Sequence, residues 1–253
     1  MTPALRPLRL VQLFPAAMNI YGDHGNRQVL TTRAGLYGLA VTVGAFEPGG
    51  DPGVLTQADL VIGGGGQDSG QQLVARALHD VGDRVRELVD DGAPMLVICG
   101  LYQLFGHWFA PAEGPRLDGI GVFDAQTTAG TTRLIGNITI DSPFGRLVGY
   151  ENHSGLTTLN AGQAPLGTVV AGAGNNSSDG HEGGRTRHAI GTYLHGPLLP
   201  KNPALADELL RLAVLRRYGE EALAPLDDAA AARLAHLDDL AAQARTVASS
   251  RPR

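Results

Sequence analysis

Four short aliphatic runs are spaced along the first hundred residues: LRLVQLF at 8–14, LAVTVGAF at 39–46, ADLVIGG at 58–64 and PMLVIC at 94–99. Runs of this length, rich in β-branched residues and bounded by Gly, Pro or Asp, have the character of strands. Between them the period changes. Residues 26–36 and 71–91 read as helices, and in the second Leu73, Ala77, Val81, Val85 and Leu88 recur at spacings of three and four. Strands alternating with helices predict βα units around a parallel sheet covered on both faces. From about 118 to 194 the segments become shorter and richer in Gly and Thr (GIGVFDAQT, LIGNITI, LVGYE, GTVVAG, HAIGTYL), which predicts β-strands and turns. AGAGNNSSDGHEGG, at 171–184, is nearly free of apolar bulk and reads as an exposed turn or mobile loop. Two helices, 207–218 and 227–247, close the chain, the second setting Leu234, Leu237, Leu240, Ala241 and Ala244 on one face. No linker or repeat divides the sequence, so the expectation is one domain over 1–253 with a helical C-terminal segment at about 204–248.

Composition narrows the possibilities. With 253 residues, 43% hydrophobic and 18% charged, the chain can bury a substantial core. A net charge of −5 and the absence of a basic run argue against a nucleic-acid partner. No apolar run approaches the ~20 residues that cross a bilayer. One cysteine excludes an internal disulfide, and MTPALRPLRL lacks the apolar core of a secretory signal, so a reducing, cytoplasmic setting is expected.

That single cysteine, Cys99 in LVICGLYQLFG, stands where an aliphatic strand meets a helix start, with Gly100 directly after it. A strand-to-helix turn presents its side chain above the carboxyl edge of the sheet, and a helix N-terminus favours the thiolate. A free cysteine is also a common small core residue, so local sequence leaves both readings open. VIGGGGQDS, at 61–69, has the backbone freedom of a phosphate cradle but lacks the Gly-Lys-Ser/Thr ending of a P-loop. It is either a plain turn or a source of N–H donors for an oxyanion. Of the eight histidines, His195 sits where a strand meets a Gly-Pro turn, and His153 in GYENHSG is the second candidate for a proton carrier. His79, His181, His188 and His236 read as solvated. No metal site is expected, because no histidine pair has helical ligand spacing and there is no second cysteine.

Taken together, MNIYGDHGN (18–26), GGGQD (64–68), CGLYQLFG (99–106), GYENHSG (149–155) and GTYLHGPLLPKNP (191–203), in that order, resemble the class I, or triad-type, glutamine amidotransferases of the cobyric-acid-synthase-like branch. The resemblance implies a flavodoxin-like α/β fold, a mixed but mostly parallel sheet flanked by helices, and no cofactor. It makes Cys99 the nucleophile and His195 its base, with Gly65 and the N–H of Gly100 as oxyanion donors. Arg133, in TTRLIGN, takes the place of an arginine that grips the carboxylate of L-glutamine, and Gln103 lines the same pocket. The implied activity is hydrolysis of glutamine to glutamate and ammonia. The ammonia would go to a Mur-ligase-like partner, in a heterodimer, that amidates the D-glutamate of the lipid II stem peptide in peptidoglycan synthesis. A cobyrinate-type acceptor and an inactive regulatory module are the alternatives. Two departures stand out. The usual Gly-x-Cys-x-Gly elbow has Val97 and Leu101 in place of its glycines, and the glutamate usual two residues after the histidine is Pro197. The expectation is therefore that a partner's carboxylate orients His195.

Overall fold

The computed structural model describes residues 6–19, 22–66 and 68–250; Ile20, Tyr21 and Gln67 of the quoted motifs lie outside the described residues. The four aliphatic runs form β1 (Arg6–Leu13), β2 (Leu39–Phe46), β3 (Leu60–Gly63) and β4 (Met95–Ile98). Helix α1 (His24–Leu36) joins β1 to β2, and α2 (Asp68–Asp80) with α3 (Gly82–Asp90) joins β3 to β4. Every residue of β3 and β4 is buried, so these strands read as continuous apolar runs, as parallel strands covered on both faces do. Helix α4 (Gly100–Phe105) follows β4, and β5 (Trp108–Ala110) and β6 (Leu117–Asp118) lead into a long hairpin, β7 (Ala125–Ser142) and β8 (Gly145–Leu159). Then come β9 (Gly167–Ala171), β10 (His181–Glu182), β11 (Gly184–Thr186), β12 (Ala189–Thr192), α5 (Pro203–Tyr218) and α6 (Asp228–Ser250).

The first sheet has the order β11-β12-β4-β3-β1-β2 and is parallel except between β11 and β12. From β1 the chain steps one way to β2, whereas β3 to β4 steps the other way. Right-handed crossovers in opposite directions put α1 and the α2–α3 pair on opposite faces. The reversal lies between β1 and β3, and the crevice beyond the carboxyl ends of strands at such a switch point is where open α/β sheets bind ligands.

The Gly- and Thr-rich half forms a separate sheet, β10-β9-β7-β5-β6 with β8 on β7, antiparallel except for the β5–β7 pair. A single mostly parallel sheet is thus only half of the arrangement. The predicted helix 71–91 is two helices broken at Val81 (φ −112°, ψ 8°), where Gly82 packs so closely on Ile120 that a Cβ would lie 2.9 Å from its Cγ2. The apolar face runs one residue later than expected at its start: Leu73 is 60% exposed, while Val74 and Leu78 continue the buried row of Val81, Val85 and Leu88. The 171–184 segment is not simply an exposed loop. Asn175 is buried and exchanges hydrogen bonds with the backbone of Gly183, and Ala173 and Gly174 donate to buried Glu151. On α6, Leu234 and Ala241 are buried but Leu240 is 47% exposed. Arg33, itself buried, joins α1 to both C-terminal helices through Asp207 (2.6 Å) and Asp238 (2.8 Å).

Candidate active site

Cys99 occupies the turn between β4 and α4 with φ 52° and ψ −106°, backbone angles that L side chains rarely adopt. Strain of this kind costs ~1–3 kcal/mol and persists only where the surroundings over-determine it. Here the Cys99 N–H donates to Thr192 O (2.8 Å) on one side and the Cys99 carbonyl accepts from Gln103 N (2.9 Å) on the other. The thiol is less open than a bare elbow implies, with the residue only 7% exposed. The missing elbow glycines are compensated on the neighbouring strands. Val97 stands in register between Gly63 of β3 and Gly191 of β12. A Cβ on Gly63 would lie 2.2 Å from Leu101 Cδ1, and one on Gly191 2.1 Å from Tyr102 Cδ2. The space for α4 therefore comes from beside the elbow instead of from within it.

His195 is fully buried just past β12, and its backbone is fixed by two hydrogen bonds with Tyr150 of β8 (2.9 and 3.2 Å). It meets the cysteine across Gly65. A side chain there would put its Cβ 2.8 Å from His195 Cε1 and 3.7 Å from Cys99 Sγ, so only glycine lets the two converge. The Gly65 N–H donates to Asp23 Oδ2 (2.8 Å), which corrects its expected role. This residue supplies room, while its amide is engaged by a carboxylate. Gly100 is the first residue of α4, where a helix has no internal acceptor for its N–H.

Around this pair lies a polar cluster that sequence reading only partly anticipated. Burial pattern in β8 alternates, and Glu151, His153, Gly155 and Thr157 occupy its inward phase. His153 stacks flat on Tyr193, centroids 3.6 Å apart at 7°, and its Nδ1 lies 2.7 Å from Gly155 O. A carbonyl only accepts, so Nδ1 carries the proton and Nε2 is an acceptor. Tyr193 Oη pairs with Thr157 Oγ1 (2.6 Å) and accepts from Gln103 Nε2 (3.2 Å), and Gln71 donates to Gln103 Oε1 (3.2 Å). Gln103, whose N–H donates to the Cys99 carbonyl, thus belongs to this cluster. Period-two placement of Glu, His and Thr in YENHSGLTT was the available signal for the β8 residues; Tyr193 and Gln71 had none.

Burial sets the charge states. It lowers the His195 pKa to about 3, with neighbouring His153 a second cause, and it lowers His153 to about 4, against the pull of the Gly155 carbonyl and with the help of the Arg133 charge. Both imidazoles are neutral near pH 7, as a base awaiting a thiol proton must be. Glu182, fully buried, is pushed up to about 8 by desolvation, and its carboxyl oxygens accept from Tyr193 N (2.7 Å) and Thr192 Oγ1, fixing the strand end from which His195 departs. Arg133 lies where the β7–β8 register is interrupted between Ala129 and Leu134. It is exposed and donates to Asn152 Oδ1 (3.0 Å), close enough to His153 to bias its titration. Among the described residues no cluster of three His, Cys, Asp or Glu side chains could hold a metal, and no helix is long and apolar enough to cross a membrane.

A thiol on a strained turn at the carboxyl edge of a doubly wound sheet, with an imidazole brought from the end of the adjacent strand, is the arrangement of a class I amidotransferase. The chain belongs to the CobB/CobQ-like glutamine amidotransferase family, whose profile matches residues 9–203. Among its relatives is the lipid II isoglutaminyl synthase (glutamine-hydrolyzing) subunit GatD of Staphylococcus aureus, 38% identical over 84% of this chain and 87% of that protein. The subunit of the same name from Streptococcus pneumoniae is 36% identical over 86% of this chain and 85% of its own length. A crystal structure of a glutamine amidotransferase matches with a TM-score of 0.56, covering 80% of this chain and 98% of the other at 16% identity, a likeness of fold alone.

Proposed function

We propose that this chain is the glutaminase subunit of a lipid II isoglutaminyl synthase. It hydrolyses L-glutamine through a thioester on Cys99 and passes ammonia to a MurT-like Mur ligase subunit, its partner in a heterodimer, which amidates the D-glutamate of the lipid II stem peptide. A cytoplasmic setting is part of the same proposal. The observation that carries the chemistry is the convergence of Cys99 and His195 across Gly65; similarity to the two GatD subunits over most of both chains supports the acceptor.

In this reading His195 takes the thiol proton as Sγ attacks the side-chain carbonyl carbon of glutamine, and the π electrons of the C=O bond move to oxygen. Donors of the Gly100 N–H type stabilise that oxyanion. Collapse restores the carbonyl and breaks the C–N bond, with His195 handing its proton to the departing ammonia. His195 then activates a water that cleaves the thioester to glutamate and free thiol. Arg133 grips the α-carboxylate, Gln103 lines the pocket, and the Nε2 of His153 is an acceptor for a substrate N–H.

The test is glutamate release by the chain co-purified with its Mur-ligase-like partner, followed by ATP-dependent amidation of lipid II. Absence of glutamate would sink the reading, and amidation of another acid would move the acceptor. For Arg133 the expected result is selective: Arg133→Ala raises the glutamine KM, because a charge-assisted contact worth roughly 1.5–3 kcal/mol is lost, while Arg133→Lys recovers little. Equal KM values for wild type and Arg133→Ala would remove the assignment.

A further inference from the structure

The family's glutamate two residues past the histidine is Pro197 here, yet a carboxylate does reach His195 from elsewhere in the chain. We propose that Asp23, in the turn entering α1, is the positioning acid of His195, and that the same carboxylate sets the glycine loop through Gly65. This inference rests on the reading of Cys99 and His195 as the glutamine-hydrolysing pair.

Three observations carry it. Asp23 is 3% exposed, with Oδ1 4.0 Å from His195 Nδ1 and Oδ2 2.8 Å from Gly65 N, so its two oxygens face the base and the loop that separates base from thiol. Gly64 makes the approach possible, since a Cβ there would lie 2.5 Å from Asp23 Oδ2. The proline that replaced the glutamate is what seats the turn. A Cβ on Gly25 would lie 2.4 Å from Pro197 Cγ, and one step along the helix Asn26 Oδ1 accepts from Leu199 N (2.9 Å). The segment after His195 thus docks on the start of α1 and places Asp23 beside the imidazole. The acid has moved from the histidine's own loop to the element packed against it.

In the reaction, the Sγ–H proton passes to His195 Nε2, the Sγ–C bond forms, and the carboxylate of Asp23 stabilises the imidazolium through Nδ1–H. Hydrogen bonds of this kind are often long before substrate binds and shorten as charge develops. The groups facing His195 are Cys99 from the elbow, His153 from β8 and Asp23, with Lys201 on the wall of the adjoining cavity. Burial pushes the Asp23 carboxyl up to about 6, against the pull of the Gly65 N–H, so its ionisation falls within the range where activity is measured.

The experiment is Asp23→Asn in the full chain with its partner, assayed for glutamate release from pH 5 to 9, in parallel with the wild-type complex. Asn keeps an oxygen to accept from Gly65 but removes the charge. The expected result is a kcat lower by about 10²-fold or more, an unchanged KM, and an acidic limb of kcat/KM displaced to lower pH. A merely structural role would leave that limb in place. Should Asn lower the melting temperature, Asp23→Ser, a smaller acceptor, repeats the comparison. Wild-type kcat and an unmoved acidic limb in either folded variant overturn the proposal and return the orienting acid to the partner. A wild-type complex that releases no glutamate would instead defeat the amidotransferase reading beneath it.

Discussion

Cys99→Ser is expected to lower glutamine hydrolysis on the order of 10³-fold or more without unfolding the protein. Serine is nearly isosteric and preserves the Cys99 N–H to Thr192 and Cys99 carbonyl to Gln103 hydrogen bonds that hold the turn. What changes is the nucleophile: a hydroxyl is far less acidic than a thiol, and a neutral buried imidazole like that of His195 is a weak base for removing its proton. Binding should survive, because Arg133, Gln103 and His153 are untouched. The check is glutamate release by the complex together with a thermal melt. Wild-type turnover in the serine variant would end the assignment of Cys99, whereas a collapsed melt would show that the turn, not the chemistry, had been broken.

The second large effect concerns stability. Gly191→Ala should destabilise the fold by ~1–3 kcal/mol, the usual range for overpacking, and the new methyl has little room to relax. Its Cβ would lie 2.1 Å from Tyr102 Cδ2 and 2.6 Å from Phe123 Cε2, and both rings are fully buried in an edge-to-face pair 5.5 Å apart. Tyr102 in turn packs edge-on against Tyr193, so the displacement should reach the cluster proposed to bind glutamine and lower turnover as well. For a chain of this size each kcal/mol corresponds to roughly 2–4 °C of melting temperature. An unchanged melting temperature would mean that α4 is not held down on Gly191 as described.

How much of this was legible in the sequence depended on whether one local rule sufficed. The β1 to β4 runs were readable because burial on both faces leaves an uninterrupted apolar signature. The α2–α3 break was not, since Val81 fits the helical spacing and the reason for the break, Gly82 against Ile120, is a tertiary contact. The 171–184 loop looks exposed from sequence because its order comes from buried partners, Glu151 and Asn175, and not from apolar bulk. Cys99, His195 and Gln103 could be found from motif order, and they fall together in the fold. The glycine run marks Gly65 as a donor, whereas the fold uses its missing side chain. Asp23 lies inside a quoted motif, but with Pro197 in place of the usual glutamate the sequence sends the expected acid to a partner; only the docking of Pro197 on Gly25 brings the two segments together.

The left-handed backbone at Cys99 also bears on how such chains diverge. Angles of φ 52° and ψ −106° suit glycine better than any residue with a side chain. Cysteine at 99 therefore carries a backbone cost that glycine would not, and the chemistry proposed for its thiol is what would offset it. A descendant that kept its place in a complex but no longer hydrolysed glutamine would be expected to drift to glycine at this position first.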